Sequence, residues 1–164
     1  MIDVRPATAA DVDALAALRW EFRAGREAPP VESQASFLAR CADWMRQALE
    51  TGAWRSWVAV RDDRIVGQVW LHPITKLPNP VGERERHAYV SNLFVMPDER
   101  GGVGTQLLER AIDWAAANSV DRVVLWPSAR SVTLYERHGF VREGDVLELI
   151  CPPGASPRQS RSST

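Results

Sequence analysis

A glycine-rich turn lies between an apolar run and an amphipathic segment, and this order constrains the fold more than any other feature of the chain. The apolar residues 93–95 predict a buried strand, which Pro97 ends because proline has no amide hydrogen for a ladder. Three glycines follow within residues 101–104 and permit positive φ. From Val103 apolar residues recur at helical spacing. The chain therefore places a strand, a tight turn and a helix N-terminus in direct succession.

Such a turn is suited to an anion. Consecutive N–H groups in it can point into one concavity, and the first amides of a helix lack internal partners. The helix dipole also favours negative charge, so a diphosphate is a natural ligand, and Arg100 adds a positive charge. A P-loop is excluded because GGVGT lacks the Gly-Lys-Ser/Thr ending, and the spacing of a dinucleotide-binding fold is absent. An ordinary tight turn is the alternative.

Length and charge set the bounds on fold and partners. The 164 residues, 45% of them hydrophobic, suffice for one compact core. The net charge of −1 makes nucleic acid a poor partner. No apolar run approaches the roughly 20 residues that span a bilayer, and the N-terminus is polar, so we expect no membrane association and a cytoplasmic protein. Cys41 and Cys151 have no metal-site spacing, so no metal is expected.

The hydrophobic pattern predicts strands and helices around the turn. A strand at residues 2–5 leads to a capping box, Thr8 to Asp11, that begins a helix. A second helix is capped by Ser33 and ends at Thr51 and Gly52. Strands at residues 54–60 and 65–72 form a hairpin that Pro73 ends, and Gly67 indicates a bulge or a close backbone approach.

The later part of the chain is predicted to complete the sheet. Residues 87–95 form the central strand, residues 120–126 another buried strand, and residues 141–150 a hairpin or edge strand. Residues 23–32 and 74–86 are predicted to be loops. The polar residues after Cys151 are predicted to be disordered.

A second motif appears about thirty residues after the glycine turn, where LYERHGF forms a short predicted helix closed by Gly139. Together, V-x-P…R-G-G-V-G-T-x-L-L and L-Y-E-R-H-G-F resemble the acetyl-CoA signature and closing motif of the Gcn5-related N-acetyltransferase (GNAT) superfamily. The resemblance implies a single-domain GNAT-like α/β fold over residues 1–150 and a tail at 151–164. In this fold the central sheet is twisted and mixed, with mostly antiparallel strands. It has helices on both faces and one pair of parallel strands that splay apart.

The resemblance also implies the reaction. An N-acetyltransferase would use acetyl-CoA as cosubstrate and a primary amine as acceptor. The first candidate acceptor is a small molecule, and a protein amine is the alternative. The amine would attack the thioester directly within a ternary complex. A non-catalytic acyl-CoA-binding or regulatory module is the other candidate. A homodimer is possible from family habit.

Several site residues follow from the match to the family motifs. Tyr135 would protonate the leaving thiolate. The residues expected to hold acetyl-CoA are Leu93, Phe94, Val95, Arg100, Gly101, Gly102, Val103, Gly104, Thr105, Ser128 and Tyr135. The chain departs from the family in that its glycine run is one residue short and Ser128 stands where asparagine is usual. The central strand also carries no carboxylate to act as general base.

His87 is the candidate general base, because an imidazole of pKa about 6.5 accepts a proton at neutral pH; an exposed structural histidine is the alternative. Alternation places His87, Tyr89 and Ser91 on one face with Leu93. The candidate acceptor-binding residues are Trp20, Arg23, Trp70 and Tyr89. The two tryptophans could wall an apolar or aromatic pocket, with ordinary packing as the alternative.

Overall fold

The chain builds one sheet from strands that are interspersed with helices, as a computed structural model shows for residues 1–24, 29–82 and 84–142. Two compact units, Met1–Pro127 and Ser128–Thr164, are described separately. The first contains β1 (Asp3–Pro6), α1 (Val12–Arg23), α2 (Gln34–Glu50), β2 (Arg55–Arg61), β3 (Arg64–Thr75), β4 (Arg86–Val95), α3 (Val103–Ala117) and β5 (Arg122–Val124). The second contains α4 (Val132–Arg137). Among the helices of these residues, none combines the length and apolarity needed to cross a membrane.

The sheet is mixed, which confirms the predicted fold class. The five strands that the described residues form lie in the order β1-β2-β3-β4-β5, antiparallel from β1 to β4, with β5 parallel to β4. The hairpin between β2 and β3 is the predicted one. Asp62 and Asp63 at its turn have φ of 48° and 61°, the positive values that match the twist of paired strands.

Helices cover both faces of the sheet, and two adjacent residues of β3 show this. The Gln68 side-chain amide donates to the Leu15 carbonyl of α1 over 3.2 Å. A Cβ on Gly67 would lie 3.0 Å from Leu107 Cδ1 of α3 and 3.1 Å from the Phe94 carbonyl. Since consecutive strand residues point to opposite faces, α1 and α3 lie on opposite sides. The prediction of a bulge or close approach at Gly67 is confirmed, because the β2–β3 register also shifts beside it.

The core on the α1 side joins two helices to the sheet. Its members are apolar and less than a tenth exposed: Val12, Leu15, Ala16, Ala42, Met45, Ala48, Val58 and Trp70. The α2 residues among them fall three positions apart, as a helix with one buried face allows. This packing fixes α1 and α2 against β2 and β3.

The prediction that Pro73 ends its strand is wrong. β3 continues to Thr75, and Pro73 pairs with Ala88 of β4. The ladder with β2 has already ended at Leu71, so among the described residues β3 has a neighbour on one edge only at this point. The Lys76 N–H donates to the Glu85 carbonyl, on the edge of β3 that faces β4. Because successive backbone nitrogens of a strand point to opposite edges, the Pro73 nitrogen points to the other edge, where it needs no hydrogen to donate.

The prediction of a long buried strand at residues 120–126 is also wrong. β5 has only three residues, and none of them is buried. Within the described part of the chain, it pairs with the first part of β4 alone, and the following Trp126 is 65% exposed. The predicted hairpin or edge strand at 141–150 lies outside the described residues from position 143 onward, as do residues 25–28 of the first loop and the tail from Cys151.

The predicted capping box joins β1 to α1. Asp11 accepts from the Thr8 N–H at 2.7 Å, and Arg5 donates to both of its carboxylate oxygens at 2.8 and 2.9 Å. The Arg5 hydrogen bond, more than the backbone bond from Thr8, holds the pKa of Asp11 at about 2. The folded state therefore binds this proton less readily than the unfolded chain, whose aspartate pKa is about 3.9.

We expect Asp11→Asn to lower the free energy of unfolding by about 1–2 kcal/mol at pH 7. Because the folded pKa is depressed, the wild-type advantage is complete above pH 4 and is lost as the pH falls from about 4 to about 2. Urea denaturation of the wild type and of Asp11→Asn across this pH range measures the difference in their free energies of unfolding. Asp13→Asn, on the exposed side of α1, is the matched control and should change little. An equal deficit at pH 7 and pH 2 would contradict the role of the charge.

Candidate active site

A bulge in β4 shapes the centre of the candidate site. Gln68 pairs with Phe94 but Trp70 pairs with Ser91, so β4 advances by three residues while β3 advances by two. Asn92, within this step, has a φ of 54°. The sequence shows no glycine here, and an asparagine tolerates this conformation better than most residues.

The bulge overturns one prediction from alternation. Cross-strand partners share a face, and the partners of alternating β3 residues are Phe94, Ser91, Tyr89 and His87. His87, Tyr89 and Ser91 therefore share their face with Phe94 and not with Leu93. The extra residue at the bulge reverses the alternation of side chains after Ser91. Phe94 accordingly points to the side of α1, where its ring stacks on Phe22 with 5.1 Å between the ring centres. This is the face that α1 and α2 cover.

β4 and β5 form the predicted splayed parallel pair. Their ladder joins His87, Ala88 and Tyr89 to β5 and ends there, while β4 continues to Val95. Within the described residues, positions 90–95 have no β5 partner on this edge of β4. Backbone groups at such an edge can pair with an extended ligand as a further strand would. The predicted pantetheine contacts, Leu93, Phe94 and Val95, lie on this stretch.

The glycine turn follows as predicted and ends in the N-terminus of α3. Gly101 and Gly102 have φ of 93° and 94°, and a Cβ on either would meet nothing within 4 Å. Glycine is thus required for backbone conformation and not for space. The Gln106 N–H makes the first helical bond, to Gly102, so the amides of residues 103–105 precede that pattern.

The side chains around the turn hold its backbone in place. Val103 is buried and anchors the first turn of α3, while Gly104 and Thr105 lie beside it in the same turn. Arg61 pairs with Glu99 at 2.7 Å just before the turn. Arg100 is exposed and has no ion-pair partner in the described part of the chain. Free amides, a helix dipole and an unpaired guanidinium together fit a diphosphate.

The second unit holds the other two cofactor candidates. Ser128 and Ser131 share a hydroxyl hydrogen bond of 2.9 Å, and the Ser131 hydroxyl donates to the Ser128 carbonyl, which begins α4. Tyr135 on α4 is 9% exposed and packs edge-on against Phe140 at 5.6 Å. Burial raises the pKa of Tyr135, and a hydrogen bond with Ser131 opposes the shift. The phenol is therefore protonated at neutral pH.

His87 stands at the start of β4. Its Nε2 lies 3.2 Å from Asp121 Oδ1, and Lys76 Nζ lies 3.5 Å from the other oxygen. Six residues separate His87 from Leu93, which amounts to about 20 Å along the strand. A general base must come within hydrogen-bond reach of its proton, directly or through one water. His87 does not meet that distance for a thioester at residues 93–95.

Two of the four acceptor-binding candidates line one cavity, and the other two do not. Trp20 and Arg23 line a cavity of about 250 Å³ at the end of α1, where Trp20 packs on Phe37 of α2 at 5.4 Å. Trp70 is 2% exposed and donates from its indole nitrogen to Gln68 at 2.8 Å, which leaves almost no surface for a ligand. Tyr89 packs edge-on against Trp126 at 5.0 Å.

Sequence reasoning missed the contact between Arg19 and the bulge. Arg19 Nη1 donates to Asn92 Oδ1 at 3.0 Å, across 73 residues of sequence. A signal for it existed: Arg19 falls four residues after Leu15, on the apolar side of α1, where a charge is unusual. Nothing in the sequence pattern indicated Asn92 as its partner.

The fold is that of acetyltransferases that use acetyl-CoA. The family model for the Acetyltransferase (GNAT) family matches residues 13–140, and the chain belongs to that family. A comparison with curated proteins found no match.

Solved structures of the same fold cover nearly the whole chain. A predicted acetyltransferase from Clostridium acetobutylicum, solved with acetyl-CoA, is 21% identical with a TM-score of 0.78, over 92% of this chain and 96% of that one. A ribosomal-protein-alanine N-acetyltransferase from Brucella melitensis biovar Abortus 2308 is 21% identical with a TM-score of 0.65, over 94% and 100%. Glucosamine-6-phosphate N-acetyltransferase from Arabidopsis thaliana is 15% identical with a TM-score of 0.68, over 92% and 98%.

Proposed function

We propose that this protein transfers an acetyl group from acetyl-CoA to the primary amine of a small molecule, by direct attack in a ternary complex. The observation that carries the proposal is a continuous run of backbone groups in the first unit. Among the described residues, the part of β4 that has no β5 partner runs into a glycine turn and the first amides of α3. The pantetheine arm of coenzyme A is an extended chain joined to a diphosphate, which matches that sequence of backbone groups.

Each proposed contact uses a group suited to its task. A backbone N–H at residues 93–95 would stabilise the oxyanion that develops on the thioester carbonyl, an effect of about 3 kcal/mol in comparable sites. Gly101, Gly102 and the amides of residues 103–105 would bind the diphosphate together with Arg100. Ser128 would add one hydrogen bond from its hydroxyl, and Tyr135 would give its proton to the leaving sulfur.

The chemistry balances without a covalent enzyme intermediate. The amine nitrogen forms a bond to the acetyl carbon, the carbon–sulfur bond breaks, and coenzyme A leaves as the thiol. The nitrogen loses a proton in the same turnover, and a proton from solvent restores the phenol of Tyr135. Because His87 is about 20 Å along β4 from the reacting position, we propose that water near the bulge accepts this proton.

The direct test is the release of thiol from acetyl-CoA in the presence of an amine panel. The panel should contain small amines and a peptide with a free N-terminus, because relatives of this fold are named for a sugar phosphate and for a ribosomal protein. We expect amine-dependent release with at least one small amine. Binding of acetyl-CoA without transfer to any acceptor would favour the non-catalytic module instead. The homodimer and the cytoplasmic location stay predictions.

A further inference from the structure

Arg19 is a cation in an unusual place. It lies on the side of α1 that packs on the sheet, and within the described residues its guanidinium makes one hydrogen bond, to Asn92 Oδ1 at 3.0 Å. Among the described residues, no carboxylate lies within ion-pair distance of it. A guanidinium has five N–H donors, so most of its capacity is unused. Holding a half-buried charge without an anionic partner is costly, which indicates that a ligand supplies the anion.

A second cation lies near Arg19. The guanidinium groups of Arg19 and Arg23 each lie 5.8 Å from the centre of the Phe22 ring, whose face attracts both cations and offsets part of this cost. Burial lowers the pKa of Arg19, and the neighbouring Arg23 lowers it further. The other titratable groups near Arg19 are Cys41 and Tyr89, and neither side chain is a carboxylate. An anion bound here would relieve both the desolvation and the repulsion between the cations.

The position of Arg19 links this anion site to the chemistry. Its partner Asn92 is the bulge residue of β4, directly before residues 93–95, where the thioester carbonyl is proposed to bind. Arg23, one helical turn further along α1, also lines the cavity of about 250 Å³ beside Trp20 and Phe37. A molecule whose anionic group reached Arg19 would therefore hold its neighbouring atoms next to the bulge and could extend its apolar part towards the cavity.

We propose that Arg19 binds the carboxylate of the acceptor, so that the substrates are amino carboxylates with an apolar or aromatic side chain. This inference rests on the proposed acetyltransferase function and adds the substrate class. A carboxylate matches a guanidinium in bidentate geometry, and the amine of an amino carboxylate lies only a few bonds away. The carboxylate is unchanged in the reaction and serves to orient the nucleophile.

Three matched acceptors test the proposal: phenylalanine, phenylalaninamide and 2-phenylethylamine, which share one side chain but differ at the carboxylate. Phosphoethanolamine is added as an amine with a different anion. We expect the wild-type kcat/KM to favour phenylalanine, and Arg19→Gln to lower it about 10- to 100-fold for phenylalanine alone. Arg19→Lys should give an intermediate loss. The control is Arg46→Gln on α2, whose guanidinium pairs with exposed Asp43 and should leave the preference unchanged.

Other outcomes separate the possible failures. An equal loss for all three acceptors in Arg19→Gln would overturn the proposal, since it would show that Arg19 only positions the bulge. A wild-type preference for the amide, the decarboxylated amine or phosphoethanolamine would also overturn it. If no acceptor is turned over, calorimetry of phenylalanine with the acetyl-CoA complex decides: binding lost in Arg19→Gln supports the carboxylate site, and no binding to the wild type rejects it. Failure to bind acetyl-CoA at all would instead reject the proposed function.

Discussion

Replacing Gly102 with valine is expected to lower the affinity for coenzyme A by about 10- to 100-fold. Gly102 has a φ of 94° at the N-terminus of α3, a conformation that a β-branched residue adopts only with strain. That strain costs about 1–3 kcal/mol, and a factor of ten in affinity corresponds to about 1.4 kcal/mol. The free protein can relax by shifting the turn, so the cost of restoring the amide geometry appears on binding. Isothermal titration with coenzyme A measures the change.

The design separates conformation from bulk. A Cβ at Gly102 would meet no protein atom within 4 Å, so a loss of affinity is not expected from a clash with the protein core. Gly82 is also in open space but has no positive φ, and Gly82→Val is the matched control. We expect the control to bind coenzyme A as the wild type does. If Gly102→Val also keeps full affinity, the turn does not bind the diphosphate.

The parts of the site that depend on local backbone chemistry were predictable from the sequence. Proline, a glycine run and helical periodicity act within a few residues, so the turn and the start of α3 were found at their true positions. The capping box at Asp11 and the hairpin at Asp62 and Asp63 were found for the same reason. Each of these features is decided by neighbours in sequence.

The parts that depend on distant contacts were not predictable. The bulge at Asn92 arises from register with β3, and a plain alternation of side chains placed Leu93 on the wrong face. The sequence predicts that Pro73 ends its strand, and this is wrong because a strand tolerates proline once the ladder on one edge has stopped. Where the ladder between β3 and β2 stops depends on contacts between distant residues. The length of β5 depends likewise on how far β4 stays beside it. The hydrogen bond from Arg19 to Asn92 joins residues 73 positions apart in the sequence, so neither residue could be recognised as part of the site from its neighbours in the chain.

The second large loss is a loss of activity, which we expect from Tyr135→Phe. General acid catalysis contributes about 10²- to 10⁴-fold, so we expect kcat to fall by at least about 100-fold. The variant keeps the ring that packs on Phe140, so the fold and the affinity for acetyl-CoA should be retained. Single-turnover kinetics with saturating amine and acetyl-CoA would report this change in the chemical step.

The pH dependence gives Tyr135 a second test. Burial raises the pKa of its phenol above the usual value of about 10, so the proton is held more tightly in the folded protein. The acid is lost only as the pH rises through that raised value, and wild-type kcat should therefore show no decline from this group below about pH 10. Phe140→Leu, which removes the ring contact but keeps the hydroxyl, should cost less activity than Tyr135→Phe. Equal activity of Tyr135→Phe and the wild type would exclude the phenol as the proton donor to the leaving sulfur.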